Sequence, residues 1–127
     1  RKILVVDDSA DMAESTAIVL ELAGYRVRSA LDGERALALA AEFQPDIVLL
    51  DIGMPGLDGY EVARRLRQAD PTGKILIAMS GYGTERDRRQ ARTAGFDLHL
   101  LKPVDPALLQ RVLSGFIDDA RRTGKTG

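Results

Sequence analysis

Five short apolar runs, each followed by a stretch with helical spacing, constrain this chain more than any other feature. The runs are Ile3–Val6, Tyr25–Ala30, Ile47–Leu50, Ile75–Met79 and Leu98–Leu101. Four are nearly continuous, as strands buried on both faces are. The second alternates, with Tyr25, Val27 and Ser29 set against Arg26, Arg28 and Ala30, as a strand at a sheet edge does. Between the runs, Ala13, Ala17 and Leu20 make one helical stripe, closed by Gly24. Ala36, Leu37 and Ala40 make a second, stopped before Pro45. Val62, Ala63 and Leu66 make a third, and Leu109, Val112, Leu113 and Phe116 the last. From Thr84 to Ala94 the only apolar residues are Ala91 and Ala94, which predicts a helix that docks loosely. Strand and helix alternating five times predict an α/β fold, a doubly wound parallel sheet with helices on both faces.

The ends of the runs carry the chemistry. The first is followed by Asp7 and Asp8, the third by Asp51, the fourth by Ser80 and the fifth by Lys102-Pro103. In a parallel sheet all C-terminal strand ends lie along one edge, and ligands bind in the crevice there. Three carboxylates, a hydroxyl and an ammonium should therefore converge, and none of them suits a core without a partner. The carboxylates and the lysine leave a net −2. Like charges this close repel, and a divalent cation relieves the repulsion. An all-oxygen ligand set favours Mg²⁺ over Zn²⁺, and Mg²⁺ usually keeps room for phosphate oxygens. Lys102 matches phosphate as a point charge, Ser80 can donate to it, and a remaining carboxylate can act as nucleophile.

Composition narrows the class. The 127 residues suffice for one domain, and 45% hydrophobic content for its core. A net charge of −1 and a pI of about 5.8 give no general case for nucleic acid. The arginines at 86, 88, 89 and 92 read as a solvated helix face. Cysteine is absent, which excludes disulfides and thiolate metal sites and fits a reducing, cytoplasmic setting. No apolar stretch approaches the roughly 20 residues of a membrane span, and no signal peptide precedes the first run. The chain opens on Arg1 rather than Met, as a domain excised from a longer protein would. Residues 1–118 read as the domain and 119–127 as a polar, Gly-containing tail or linker.

The segments ILVVDD at 3–8, DIGMPGLDGYE at 51–61, MSGYG at 79–83 and LKP at 101–103 together resemble the receiver domain of bacterial two-component response regulators. The likeness runs from Lys2 to about Ile117. It implies a flavodoxin-like sheet of strand order 2-1-3-4-5 and a phosphoacceptor at Asp51. It also implies Mg²⁺ held by Asp8, Asp51, the Gly53 carbonyl and, through water, Asp7. Ser80 is then the switch hydroxyl, Lys102 a contact to a phosphoryl oxygen, and the Lys102–Pro103 bond is cis. The implied partner is a histidine kinase or a histidine phosphotransfer domain, with docking beside Met12, Ala13 and Thr16. The lifetime of the acyl phosphate would depend on Gly53, Tyr82 and their neighbours. One residue departs from the pattern: the switch aromatic of the family is replaced by His99, the sole histidine. The stretch GFDLHLLKPVDPALL also resembles receivers at the C-terminal end of hybrid sensor histidine kinases.

Each residue has a plainer reading. Asp7, Asp8 and Asp51 could be helix-start acids, though Ser9 or Asp11 caps the first helix equally well. Ser80 could be a turn residue, Lys102 a surface lysine and His99 a core or surface histidine. Gly56 and Gly59 read as serving backbone geometry. A nucleotide-binding fold needs a Gly-rich loop after the first strand, and DDSADM has no glycine. Gly124-Lys125-Thr126 mimics half of a phosphate loop, without its earlier glycine or a preceding strand. A turnover phosphatase of the haloacid dehalogenase type needs an acid two residues after the nucleophile, where Gly53 stands. A degenerate receiver acting as a docking or dimerisation module is the remaining alternative. The oligomeric state, a homodimer included, stays open.

Overall fold

The structure is a computed structural model. It describes residues 1–53, 58–70, 73–81 and 84–122, the last seven of these by backbone alone. Gly56, Tyr82, the Phe116 side chain and the Gly124-Lys125-Thr126 segment lie outside the described residues. In chain order the elements are β1 (Lys2–Val6), α1 (Ala10–Leu22), β2 (Arg26–Ala30), α2 (Gly33–Phe43), β3 (Ile47–Asp51), α3 (Gly59–Ala69), β4 (Ile75–Ser80), α4 (Glu85–Ala94), β5 (Leu98–Leu101) and α5 (Pro106–Arg122). The strands form one parallel sheet in the order β2-β1-β3-β4-β5, a flavodoxin-like, doubly wound fold.

Alternation along each strand builds two cores. Leu4, Val6, Val48, Leu50, Leu76 and Ala78 face α2, α3 and α4. Ile3, Val5, Ile47, Leu49, Ile77 and Met79 face α1 and α5. Both parities are apolar in the three inner strands, which is why those runs are continuous. The edge strand β2 alternates less cleanly than its sequence suggests, since only Ala30 is fully buried. Tyr25 does not join it. Its amide instead donates to the Leu20 carbonyl, and the Gly24 amide donates to Glu21, closing α1 with Gly24 at φ +100°.

Side chains start the helices where the turns need them. Ser9, Asp32, Asp58 and Thr84 each accept from a backbone N–H of the first turn. Because Ser9 caps α1, Asp8 is free for other work. Helix α4 buries only Ala91 and Ala94, the thin apolar face expected of it. Helix α5 runs to Arg122, so its last turn takes in residues that composition placed in the polar tail. Among the described residues, no helix is long and apolar enough to cross a membrane.

Gly59 packs directly against the residue that follows Asp51. A Cβ there would lie 2.5 Å from the Ile52 Cα, and Ile52 directly follows Asp51. Gly59→Ala is expected to cost about 1–3 kcal/mol through overpacking, measured as a lower urea midpoint at unchanged slope.

Candidate functional site

The order of the sheet reverses between β1 and β3. From there the chain winds outward to β2 on one side and to β4 and β5 on the other. Asp7 extends β1 and Asp51 closes β3, so both stand at the crevice where ligands bind in such sheets. Both are buried, at 3% and 6% exposure, while Asp8 is exposed. One carboxylate oxygen from each of Asp7, Asp8 and Asp51 lies within 4.8 Å of the others. Oxygen ligands about 2.1 Å from one Mg²⁺ ion sit roughly 3–4 Å apart, so this acidic trio fits a hard divalent cation.

Lys102 reaches in from beyond β5. Its Nζ donates to Asp51 Oδ2 at 3.0 Å and to Asp7 Oδ2 at 3.2 Å. Burial alone would lower the pKa of this ammonium. The hydrogen bond and charge of Asp51, with those of Asp7, outweigh that and raise it. The Lys102–Pro103 peptide bond is cis. Backbone donors hold the carboxylates from the other side. The Gly53 amide donates to Asp51 Oδ1 at 2.9 Å, and the Ser9 amide to Asp7 Oδ1 at 3.0 Å. Each of the two acids is thus locked by one amide and one shared ammonium, which offsets its burial.

Ser80 ends β4 and is 4% exposed. With Asp51, Gly53 and Tyr60 it lines a cleft of about 250 Å³, closed on the α4 side by Asp87 and Gln90. Its Oγ lies 2.7 Å from His99 Nε2. The fold therefore gathers Asp7, Asp8, Asp51, Gly53, Ser80 and Lys102 at one sheet edge, with His99 attached through Ser80. Of the surface beside it, Met12 is 44% exposed but Ala13 is 2% exposed and belongs to the core. Thr16 is half-buried. The arginines at 86, 88, 89 and 92 are solvated.

Several residues were not legible beforehand. Tyr60 lines the Asp51 cleft, and its phenol is pushed up by burial and then by the charges of Asp87 and Asp58. Arg67 on α3 donates to the Gly95 and Lys74 carbonyls and to Asp97, bracing the start of β4 and the α4–β5 turn. Asp97 also accepts from the Leu76 amide. No local pattern marks a helix arginine for such a role.

A family model described as "Response regulator receiver domain" matches residues 3–114. The DNA-binding dual master transcriptional regulator RpaA of Synechocystis is 39% identical over 105 residues, covering 82% of this chain and 44% of that protein. The phosphate regulon transcriptional regulatory protein PhoB of Pseudomonas aeruginosa is 37% identical over 125 residues, covering 98% and 53%. The chain spans about half the length of these curated relatives. Among solved structures, a CheY-like receiver domain protein from Methanospirillum hungatei superposes with a TM-score of 0.89 at 28% identity, over 97% of this chain and 98% of that one. A CheY chain crystallised with CheX, BeF3 and Mg from Borrelia burgdorferi gives 0.82 at 31% identity, over 91% and 88%. The family match spans most of the chain, the solved structures share its fold, and the chain belongs to the response regulator receiver domain family, the phosphoacceptor domains of two-component signalling.

Proposed function

We propose that Asp51 accepts a phosphoryl group from a phosphohistidine on a histidine kinase or a histidine phosphotransfer domain. The observation that carries this is the setting of Asp51: a buried carboxylate beside Asp7 and Asp8, held 3.0 Å from an ammonium at the mouth of a cleft. An Asp51 oxygen attacks phosphorus in line. The new O–P bond forms as the P–N bond to the donor histidine breaks, and the leaving imidazole keeps the electron pair. Lys102 then shifts its hydrogen bonds toward a phosphoryl oxygen as negative charge moves outward. The Ser80 hydroxyl donates a hydrogen bond to another. Asp7, Asp8, Asp51 and the Gly53 carbonyl would hold Mg²⁺, Asp7 through a water. When bound, Mg²⁺ supplies positive charge opposite the phosphoryl oxygens.

No acid stands two residues after Asp51, so the domain is not a turnover enzyme for outside substrates. Its reactions are its own phosphorylation and slow hydrolysis. Exposed Met12 and half-buried Thr16 flank the crevice as a docking patch for the donor helix. The two curated relatives named above, RpaA and PhoB, are transcriptional regulators, so they lend no support to a hybrid-kinase parent. Intact mass after incubation with acetyl phosphate tests the reading. One added phosphoryl group in the presence of Mg²⁺, and none with chelator, is the expected result. No added mass under any condition would favour the docking or dimerisation module instead.

A further inference from the structure

The cleft that holds Asp51 has a second carboxylate on its far wall. Asp51, Gly53 and Ser80 form one side, at the ends of β3 and β4. Asp87 and Gln90 of α4 close the other, across a space of about 250 Å³. A group attached to Asp51 and met by Ser80 fills that space. Among the described residues that line the cleft, none is a cation. Lys102 reaches Asp51 Oδ2 together with Asp7 Oδ2 and is not part of the lining. The acid trio suited to Mg²⁺ also takes its other two members, Asp7 and Asp8, from the β1 side.

Asp87 has a plainer role as well. It is the third residue of α4, and its amide donates to the Oγ1 of the capping Thr84 at 3.2 Å. Its Oδ2 accepts from that hydroxyl at 2.6 Å. An acid in the first turn suits the helix dipole, but Glu85 in the same turn already serves that end. The bond from Thr84 is neutral and leaves the charge of Asp87 in place. That charge acts on both flanks. It raises the Tyr60 phenol inside the cleft, and it opposes the lowering of the His99 imidazole beyond it.

Phosphorylation would turn the single negative charge of Asp51 into roughly two. Like charges facing each other across a cleft with low-dielectric walls are screened less than in open water. On the reading of Asp51 as phosphoacceptor, we propose that Asp87 opposes phosphorylation: its carboxylate repels the phosphoryl oxygens from the α4 wall and holds down the occupancy of the phosphorylated state. Gln90, on the same wall, is neutral and carries no such penalty.

The test loads the intact chain with beryllium fluoride, a phosphoryl mimic, at saturating Mg²⁺, and counts bound fluorine by NMR. Asp87→Asn is nearly isosteric, and its amide oxygen still accepts from Thr84. Its half-saturation should come at about 5-fold lower beryllium fluoride, the lower end of ordinary coupling. Glu85→Gln removes a charge from the same turn but outside the cleft lining, where solvent screens it, and should shift loading by less than about 2-fold. Asp87→Lys loses the Thr84 bond and puts a cation on the wall. It should load at least as tightly as Asp87→Asn, whereas a residue needed only to cap α4 would load more weakly once the cap is lost. Unchanged half-saturation in Asp87→Asn, equal tightening in Glu85→Gln, or loading of Asp87→Lys weaker than wild type overturns the proposal and leaves Asp51 as acceptor. A wild type that neither loads nor gains mass from acetyl phosphate removes the Asp51 reading and this inference with it.

Discussion

Asp51→Asn is expected to abolish phosphoryl uptake while leaving the domain folded. An amide oxygen is a far weaker nucleophile than a carboxylate, and losing a nucleophile costs on the order of 10⁴-fold or more in rate. The substitution is nearly isosteric. The amide oxygen can still accept from the Gly53 amide, which now lies 2.9 Å from Asp51 Oδ1, and Lys102 keeps Asp7 as a partner. It also removes one of three clustered negative charges. Thermal unfolding without Mg²⁺ should therefore be no earlier than in wild type, while Mg²⁺ should bind more weakly for want of one ligand. Intact mass with acetyl phosphate reads the first effect, and a melt with and without Mg²⁺ the second. Uptake at an undiminished rate would move the acceptor to another carboxylate, with Asp7 and Asp8 the first to examine.

Lys102→Met is expected to have the largest effect on stability. The side chain is of similar length, but the ammonium that bridges Asp51 at 3.0 Å and Asp7 at 3.2 Å is gone. Two carboxylates exposed by less than a tenth then face each other uncompensated. Removing one partner of a buried ion pair typically costs several kcal/mol. Lys102 is 27% exposed, so water softens the loss, and about 2–4 kcal/mol is expected in chelator. For a chain of this size that is a fall in Tm of roughly 10 °C. Added Mg²⁺ should restore more stability to the variant than it adds to wild type, because a cation on the acid trio relieves the same repulsion. Equal gains in both would mean that the ammonium and the cation act on different groups. Phosphoryl transfer should fall by roughly 10²–10³-fold, the usual cost of removing one charge-stabilising donor.

Much of this molecule is written locally. The inner runs 3–6, 47–50 and 75–79 are apolar at both parities, which only a strand covered on two sides requires. Parallel strands bring their C-terminal ends together by geometry alone, so Asp7, Asp8, Asp51, Ser80 and Lys102 could be placed on one edge from the sequence. Strand order was not legible in that way, since the inner strands are equally apolar. It came with the family resemblance and is the order observed. Other features depend on neighbours far away in the chain. Lys102 chooses Asp7 and Asp51 across 95 and 51 residues. Ala13 lies in the core rather than on the docking surface because α1 turns it into the cluster formed with the sheet and α5. Arg67 finds Asp97 only once α3 lies beside the α4–β5 turn. His99 could be read as a departure from a pattern, but its hydrogen bond to Ser80 needs β4 and β5 side by side in register. Periodicity tells each side chain which face it occupies. Which side chain it meets there is set by sheet order and register, and these are properties of the whole chain, decided only when it has packed.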